Sequence, residues 1–209
     1  MRKIITGFII SALLISGCAT KEANSKSEEK TAQNTVEENT SPVIQPESDA
    51  LYHKAAQAYG KGNHTEALQL ANQALEKDEK NYKALSLKGI IIAFDISPDE
   101  GTLYIEKSLF IQPNYTQAFY DMAIAQKLGK HYDESIAYFE KVLKADPQNT
   151  WSYYGIATNW ADKGNKEQAL FYLEKAVRLG GKDVIDAAAV QDHFDRFRDD
   201  KDFQKILAE

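Results

Sequence analysis

Histidine, cysteine and carboxylate are the side chains with which this chain could do chemistry, and their spacing argues against most of it. The four histidines, His53, His64, His131 and His193, form no His-Glu-x-x-His pair, and the single cysteine, Cys18, has no second thiolate with which to share a metal. No EF-hand loop is present. Gly60-Lys61-Gly62 lacks the spacing of a phosphate-binding loop and reads as the end of a helix. The 31 Asp and Glu residues and the serines fall in no nucleophile motif, and charges recurring along helices form a solvated face. No catalytic residue, metal or cofactor is expected and no small-molecule substrate is inferred, so the chain reads as a binding protein and not an enzyme. One thiol and a set of aromatic rings carry the chemistry that remains.

Cys18 follows Met1-Arg2-Lys3 and the apolar run Ile4 to Ser16, which is too short to span a bilayer as a permanent helix and reads as a signal peptide. The end of that run, Leu14-Ile15-Ser16-Gly17-Cys18, resembles a bacterial lipobox. The resemblance implies that residues 1–17 are a lipoprotein signal peptide and that Cys18 becomes the acylated first residue of the mature protein, carrying fatty chains such as palmitate. Lipidation also answers for a lone thiol in an exported chain. The implied location is the cell envelope, anchored by lipid to a bacterial membrane and facing outside the cytoplasm. Ala19 stands where aspartate resembles an inner-membrane retention signal, which favours the outer membrane if the host has two.

Residues 18–48 are expected to be the lipidated N-terminus and a disordered tether. Lys21 to Ser48 contains no aromatic residue and only Val36, Val43 and Ile44 as larger aliphatics, too little apolar surface to offset the entropy of ordering it. As a flexible coil that stretch spans roughly 30 Å, and on the order of 90 Å when pulled straight. The whole chain carries 25 Lys and Arg against 31 Asp and Glu, a net charge of −6; without Arg2 and Lys3 it is 23 against 31, or −8. An acidic chain with no basic block is a poor partner for nucleic acid or for anionic headgroups, so membrane association must come from the lipid.

The rings belong to a repeat. Ala84 to Gly89, Ala118 to Ala123 and Ser152 to Ala157 superimpose without a gap at a spacing of 34 residues, and the same step carries Pro113 onto Pro147. Stacked supersecondary units produce such a period, because no single unit can bury its apolar face alone. The boundaries fall near 48–81, 82–115, 116–149 and 150–183, giving an array over 49–183. In the third unit, Phe119, Met122, Ala123 and Gln126 make one stripe of a helix from about Thr116 to Leu128, ended by Gly129. A second helix opens near Asp133, with Ile136, Phe139, Val142 and Leu143 inward, and stops before Pro147. Each unit is thus a helical hairpin. Ser97-Pro98 opens the second helix of unit two, whose turn, Asp95-Ile96-Ser97-Pro98, lacks the usual glycine and is expected to differ in shape.

Tyr132-Asp133-Glu134-Ser135-Ile136 through Phe139-Glu140-Lys141-Val142-Leu143 and Asp146-Pro147 resembles the second half of a tetratricopeptide repeat, and four units match in phase. Small residues occupy the positions where that family's helices cross: Ala55, Gly89, Ala123 and Ala157 in the first helices, Ala67, Gly101, Ser135 and Ala169 in the second. The resemblance implies an all-α, right-handed α-solenoid of about four hairpins with a C-terminal helical cap at 184–209. There Phe194, Phe197, Phe203, Ile206 and Leu207 cover the open apolar end while Asp192, Asp195, Arg196, Arg198, Asp199 and Asp200 face water.

In that family the first helices line a concave groove. Carried onto this numbering, the groove positions are Tyr52, Ala56 and Tyr59; Lys83, Ser86, Ile90 and Ala93; Gln117, Tyr120, Ile124 and Lys127; and Trp151, Tyr154, Thr158 and Ala161. Tyr52, Tyr120, Trp151 and Tyr154 are surplus to the hairpin cores and offer rigid contact area with a polar handle. Tyr52 and Ala56 stand where some relatives clamp a terminal carboxylate, so an extended or helical polypeptide with apolar anchors is the expected partner. The implied function is a membrane-anchored scaffold or adaptor that binds a protein through this groove. The alternative is an assembly factor dedicated to one envelope machine, pilotin-like or an adaptor for cell-wall enzymes.

Overall fold

Polar caps set the boundaries of the hairpins at the 34-residue step. In the computed structural model, which describes residues 42–208, Asn63, Ser97 and Asn165 each accept a hydrogen bond from the backbone N–H three residues ahead, at 3.4, 3.4 and 3.1 Å. Asn81 and Asn149 do the same, both at 3.0 Å, for the first helices of the second and fourth hairpins. Each bond satisfies one of the free N–H groups at a helix start. The leader 1–17, Cys18 and the tether from 19 to 41 lie outside the described residues.

The helices so delimited are α1 (Pro46–Gly60), α2 (His64–Lys77), α3 (Tyr82–Asp95), α4 (Pro98–Ile111), α5 (Thr116–Leu128), α6 (Tyr132–Ala145), α7 (Thr150–Asp162) and α8 (Lys166–Gly180). After them come α9 (Lys182–Val190), a short 3-10 helix (Asp192–Phe197) and α10 (Lys201–Leu207). They form four hairpins and a cap, an all-α solenoid; among the described residues there is no strand, and no helix is long and apolar enough to cross a membrane. The bounds of α5 coincide with those read from its stripe. Helix α6 opens one residue before Asp133: His131 takes the cap position without a side-chain bond, and Asp133 and Glu134 lie in the first turn, where the helix dipole favours them. The left-handed residue after α5 is Lys130 (φ 62°), not Gly129, and it matches Gly62 (φ 77°) and Gly164 (φ 80°) in the other turns. Ile96 holds that place after α3 with φ −128°, so the second turn is shaped differently.

Tether and fold meet earlier than the composition implies. Helix α1 begins at Pro46, and Ser48 is fully buried: its Oγ donates to Ala74 O at 2.7 Å and accepts from Asn81 Nδ2 at 2.8 Å, tying the first hairpin to the second. A hydroxyl that meets two buried partners is worth ordering, which the count of aliphatic residues does not register.

Within each hairpin the crossing helices meet through the small-residue columns, where Ala55, Ala67, Ala123, Ser135, Ala157 and Ala169 are fully buried. The α3–α4 pair is the tightest. A Cβ added at Gly89 would stand 2.5 Å from Ile105 Cγ1 and 2.7 Å from Gly101 O; one at Gly101 would stand 2.5 Å from Gly89 O and 2.6 Å from Ala93 Cβ. Between hairpins, Gly155 makes room for the Phe139 ring, which a Cβ there would approach to 2.3 Å. Ala93 and Ala161, expected in the groove, are instead buried, Ala93 against Gly101 and Ala161 in the core cluster of the fourth hairpin and cap.

At the C-terminal end, Phe194, Phe197, Phe203 and Ile206 are buried with Leu173, Val177 and Val184, and the rings of Phe194 and Phe203 stack at 5.5 Å. Two of the expected water-facing residues are pins. The Arg198 guanidinium donates to Gln191 O at 2.9 Å and to Ala188 O at 3.3 Å, while Asp200 caps α10 and pairs with Lys166 at 2.7 Å. Gly101→Ala is expected to lower stability by roughly 1–3 kcal/mol, a fall in Tm on the order of 5 °C, because backbone atoms cannot yield. Gly60→Ala, with open space around its Cβ position, should leave Tm unchanged or slightly raised in the same circular-dichroism melt.

Candidate functional site

The first helices of successive hairpins enclose two hollows. One, of about 230 Å3, is lined by Tyr52, Ala56 and Tyr59 of α1, Lys83, Leu87 and Ile90 of α3, Tyr115, and Gln117 and Asp121 of α5. The other, of about 610 Å3, is lined chiefly by Tyr120, Ile124, Lys127, Trp151, Tyr154, Thr158, Asp162 and His193. Twelve of the fifteen expected groove positions fall in these two spaces, the buried Ala93 and Ala161 lying outside them. Ser86 lies outside them too: it is buried, and its Oγ donates to Asp121 Oδ2 at 2.6 Å.

Several of these side chains do structural duties that sequence reasoning does not assign. Tyr154 is buried against Phe194 of the cap, ring centres 6.0 Å apart, and its hydroxyl donates to Gln191 Oε1 at 2.9 Å, so it is not surplus to the core. Tyr120 stands edge-on to Phe139 at 5.6 Å and is half-buried. Trp151 meets Tyr154 edge-on at 5.6 Å but remains 45% exposed and, with Phe94 at 48%, is among the freest of the large rings in this hollow. In the first hollow Tyr59 stacks on His64 at 5.0 Å, and His64 Nδ1 lies 2.9 Å from both carboxylate oxygens of Asp95. Burial pushes the Tyr59 phenol up to about 12, with Asp121 and Asp95 adding to the shift; it also raises Tyr115 and Tyr154 well above the ordinary range. All three therefore remain neutral donors.

Lys127 is not a free groove cation. Its Nζ donates to Thr158 Oγ1 and, at 3.2 Å, to His193 Nε2, while His193 Nδ1 lies 2.8 Å from Asp162 Oδ1. With an ammonium facing Nε2, the ring proton belongs on Nδ1, donated to Asp162. Burial lowers the Lys127 ammonium to about 8, opposed by Asp162. Lys83 differs: its Nζ donates to Asp49 at 3.0 Å, and that bond raises its pKa. Among the described residues no group of three or more His, Cys, Asp or Glu side chains is placed to hold a metal ion.

Asp121 is the residue the sequence reading passes over. The 34-residue column through it reads His53, Leu87, Asp121 and Gly155, and an acid among Leu and Gly in a packed column was the available signal. The carboxylate is buried; Ser86 and Gln117 Nε2, at 2.8 Å, donate to it, and burial outweighs both bonds and raises its pKa to about 7. The sign follows from proton linkage: the folded state holds a proton that the unfolded state has already released, so stability falls as pH rises from about 4 to about 7. Asp121→Asn should remove that slope, matching wild type near about pH 4 and exceeding it at pH 8 by on the order of 2–4 kcal/mol in urea unfolding. An unchanged slope would show that Asp121 is ionised throughout.

With this geometry in place, comparison of the sequence with family models finds a match to the tetratricopeptide repeat over residues 123–193. No curated protein matches the chain. Among solved structures it is similar to pilF of Pseudomonas aeruginosa, with 17% identity and a TM-score of 0.63 over 76% of this chain and 72% of that one. It is similar also to MamA from Desulfovibrio magneticus RS-1, with 19% identity and a TM-score of 0.61 over 79% of this chain and 96% of that one. YrrB, described as a tetratricopeptide-repeat protein with an unusual peptide-binding site, shares 22% identity with a TM-score of 0.55 over 67% of this chain and 73% of that one. Identities this low establish the fold, and the described residues have the fold of a tetratricopeptide-repeat solenoid, with the family's own sequence pattern matched from Ala123 to His193.

Proposed function

We propose that the chain is a lipid-anchored scaffold of the bacterial cell envelope that binds a protein or peptide segment along its first helices. The observation that carries this reading is the pair of adjoining hollows walled by side chains from three or more helices, with Tyr52, Tyr59, Tyr120 and Trp151 among them. Aromatic rings with polar tips, set in recesses between helices, are the usual energetic centres of a polypeptide interface. The match to the tetratricopeptide repeat and the peptide-binding site ascribed to YrrB support the same reading.

Tethering is the proposed mechanism. The lipid on Cys18 fixes the location outside the cytoplasm, the residues between it and Pro46 set the reach, and the groove sets the choice of partner. Two molecules confined to one surface meet at a raised effective concentration, so a groove of modest affinity suffices. Replacing both Tyr120 and Trp151 by Ala should weaken capture of the partner about tenfold or more, read by crosslinking and mass spectrometry of the tagged protein in its own cells. Cys18→Ser should release the protein from the membrane fraction and leave the helical melt unchanged. An unaltered crosslinking profile in the double variant would remove the groove assignment, and membrane retention of Cys18→Ser would remove the anchor.

A further inference from the structure

The smaller hollow is chemically distinct from its neighbour. Three of its walls are the phenols of Tyr52, Tyr59 and Tyr115, and the buried carboxylate of Asp121 lies in the same lining. Both hydrogen bonds to that carboxylate, from Ser86 and Gln117, come from neutral donors. Among the described residues no Lys, Arg or His forms an ion pair with it. The cation in the lining, Lys83, is engaged by Asp49 at 3.0 Å and stands 5.7 Å from the centre of the Tyr52 ring. Asp95, near Tyr59, has His64 Nδ1 as its own partner at 2.9 Å. Asp121 is thus a buried acid held by neutral donors alone, with the nearby cation already engaged elsewhere.

A carboxylate in that position is costly to ionise, which is why burial lifts it to about 7, and an incoming cation would relieve the cost. Aromatic rings attract cations through their faces, and phenols that stay protonated add no competing charge of their own. At about 230 Å3 the space lies below the range of sites for drug-sized ligands and suits one amino-acid side chain. Gln117 is exposed, so its amide can release Oδ1 to a guest and remain hydrated. The net charge of −6 favours encounter with a basic segment.

We propose that this hollow is a cation subsite that takes an arginine or lysine side chain of the partner polypeptide, with Asp121 as its counter-ion and Tyr52, Tyr59 and Tyr115 as its walls. It rests on the groove reading for the source of the cation, and the recognition is opposite in sign to that of a clamp for a terminal carboxylate.

The test titrates the full-length protein, in detergent and carrying 13C-labelled tyrosine rings, with N-acetyl-arginine amide, N-acetyl-lysine amide and the neutral N-acetyl-norleucine amide. The cationic probes should shift the Tyr59 and Tyr115 ring signals with saturation on the order of millimolar, and norleucine at least about tenfold more weakly. Asp121→Asn should weaken the cationic probes about tenfold or more while the melt stays cooperative. Tyr59→Phe should keep their binding and Tyr59→Leu lose about threefold of it, a contrast that filled volume alone would not produce. Equal uptake of norleucine, full binding by Asp121→Asn, or no saturable shift up to about 0.1 M probe would overturn the proposal. None of these probes needs a partner, so their failure leaves capture through Tyr120 and Trp151 standing. Probe binding that persists where no polypeptide is captured would overturn the polypeptide as the source of the cation.

Discussion

Everything in this molecule depends on how closely two helices of a hairpin can approach. Where Gly89 crosses Gly101, a single methyl on either would stand within 2.7 Å of the other's carbonyl oxygen, so the backbones themselves are the contact surface. That approach fixes the angle at which each hairpin presents its outer faces to the next. Ala, Gly and Ser recur along the columns because dispersion and close packing reward the absence of side chain there. The apolar mass is displaced outward, to the seams between hairpins, where Met122, Phe139 and Ile156 are buried, and to the seam with the cap, where Leu173 is. The groove follows from the same constraint: first helices held at a set spacing leave gaps between them that rings only partly fill.

A solenoid built this way has an open end, and the C-terminal cap closes it with chemistry that reaches into the groove. Phe194, Phe203 and Ile206 supply the apolar seal. His193, next to Phe194, joins Asp162 of α7 to Lys127 of α5, and Gln191 holds the Tyr154 hydroxyl. Cap, fourth hairpin and third hairpin thus share one polar network at the wall of the larger hollow. A partner seated there would meet a surface already ordered, which lowers the entropy that binding must overcome.

Repetition made the hairpins legible from sequence. Helix α5 could be bounded to the residue by its stripe and the glycine that follows it, although the left-handed turn falls one residue later at Lys130, and α6 could be closed because Pro147 follows it, while the small-residue columns mark the crossings. What periodicity cannot convey is which distant segment covers a given face. Tyr154 reads as surplus because its own repeat does not need it; the residues that bury it come from the cap. Lys127 reads as an unengaged groove lysine for the same reason, since His193 lies 66 residues away in sequence. Asp121 was legible in principle, as an acid in a column that otherwise holds Leu87 and Gly155 beyond the exposed His53, but only stacking reveals that the position is closed to water.

The two hollows differ in how their buried charges are balanced, and that difference bears on how a guest chain would be read. In the larger one, Lys127 faces His193, Thr158 and Asp162, so acid and base cancel within the wall and aromatic area is what remains on offer. In the smaller one, Asp121 has only dipoles around it. A polypeptide whose apolar side chains suit Trp151 and Tyr120 could slide along the first helices with little loss, because contacts with rings tolerate many registers. A single cation matched to Asp121 would not tolerate sliding: moved by one residue, it leaves a buried charge unpaired and its own charge in apolar surroundings, an expense of several kcal/mol. Within the proposed groove, affinity and register therefore reside in different places, area in the larger hollow and alignment in the smaller.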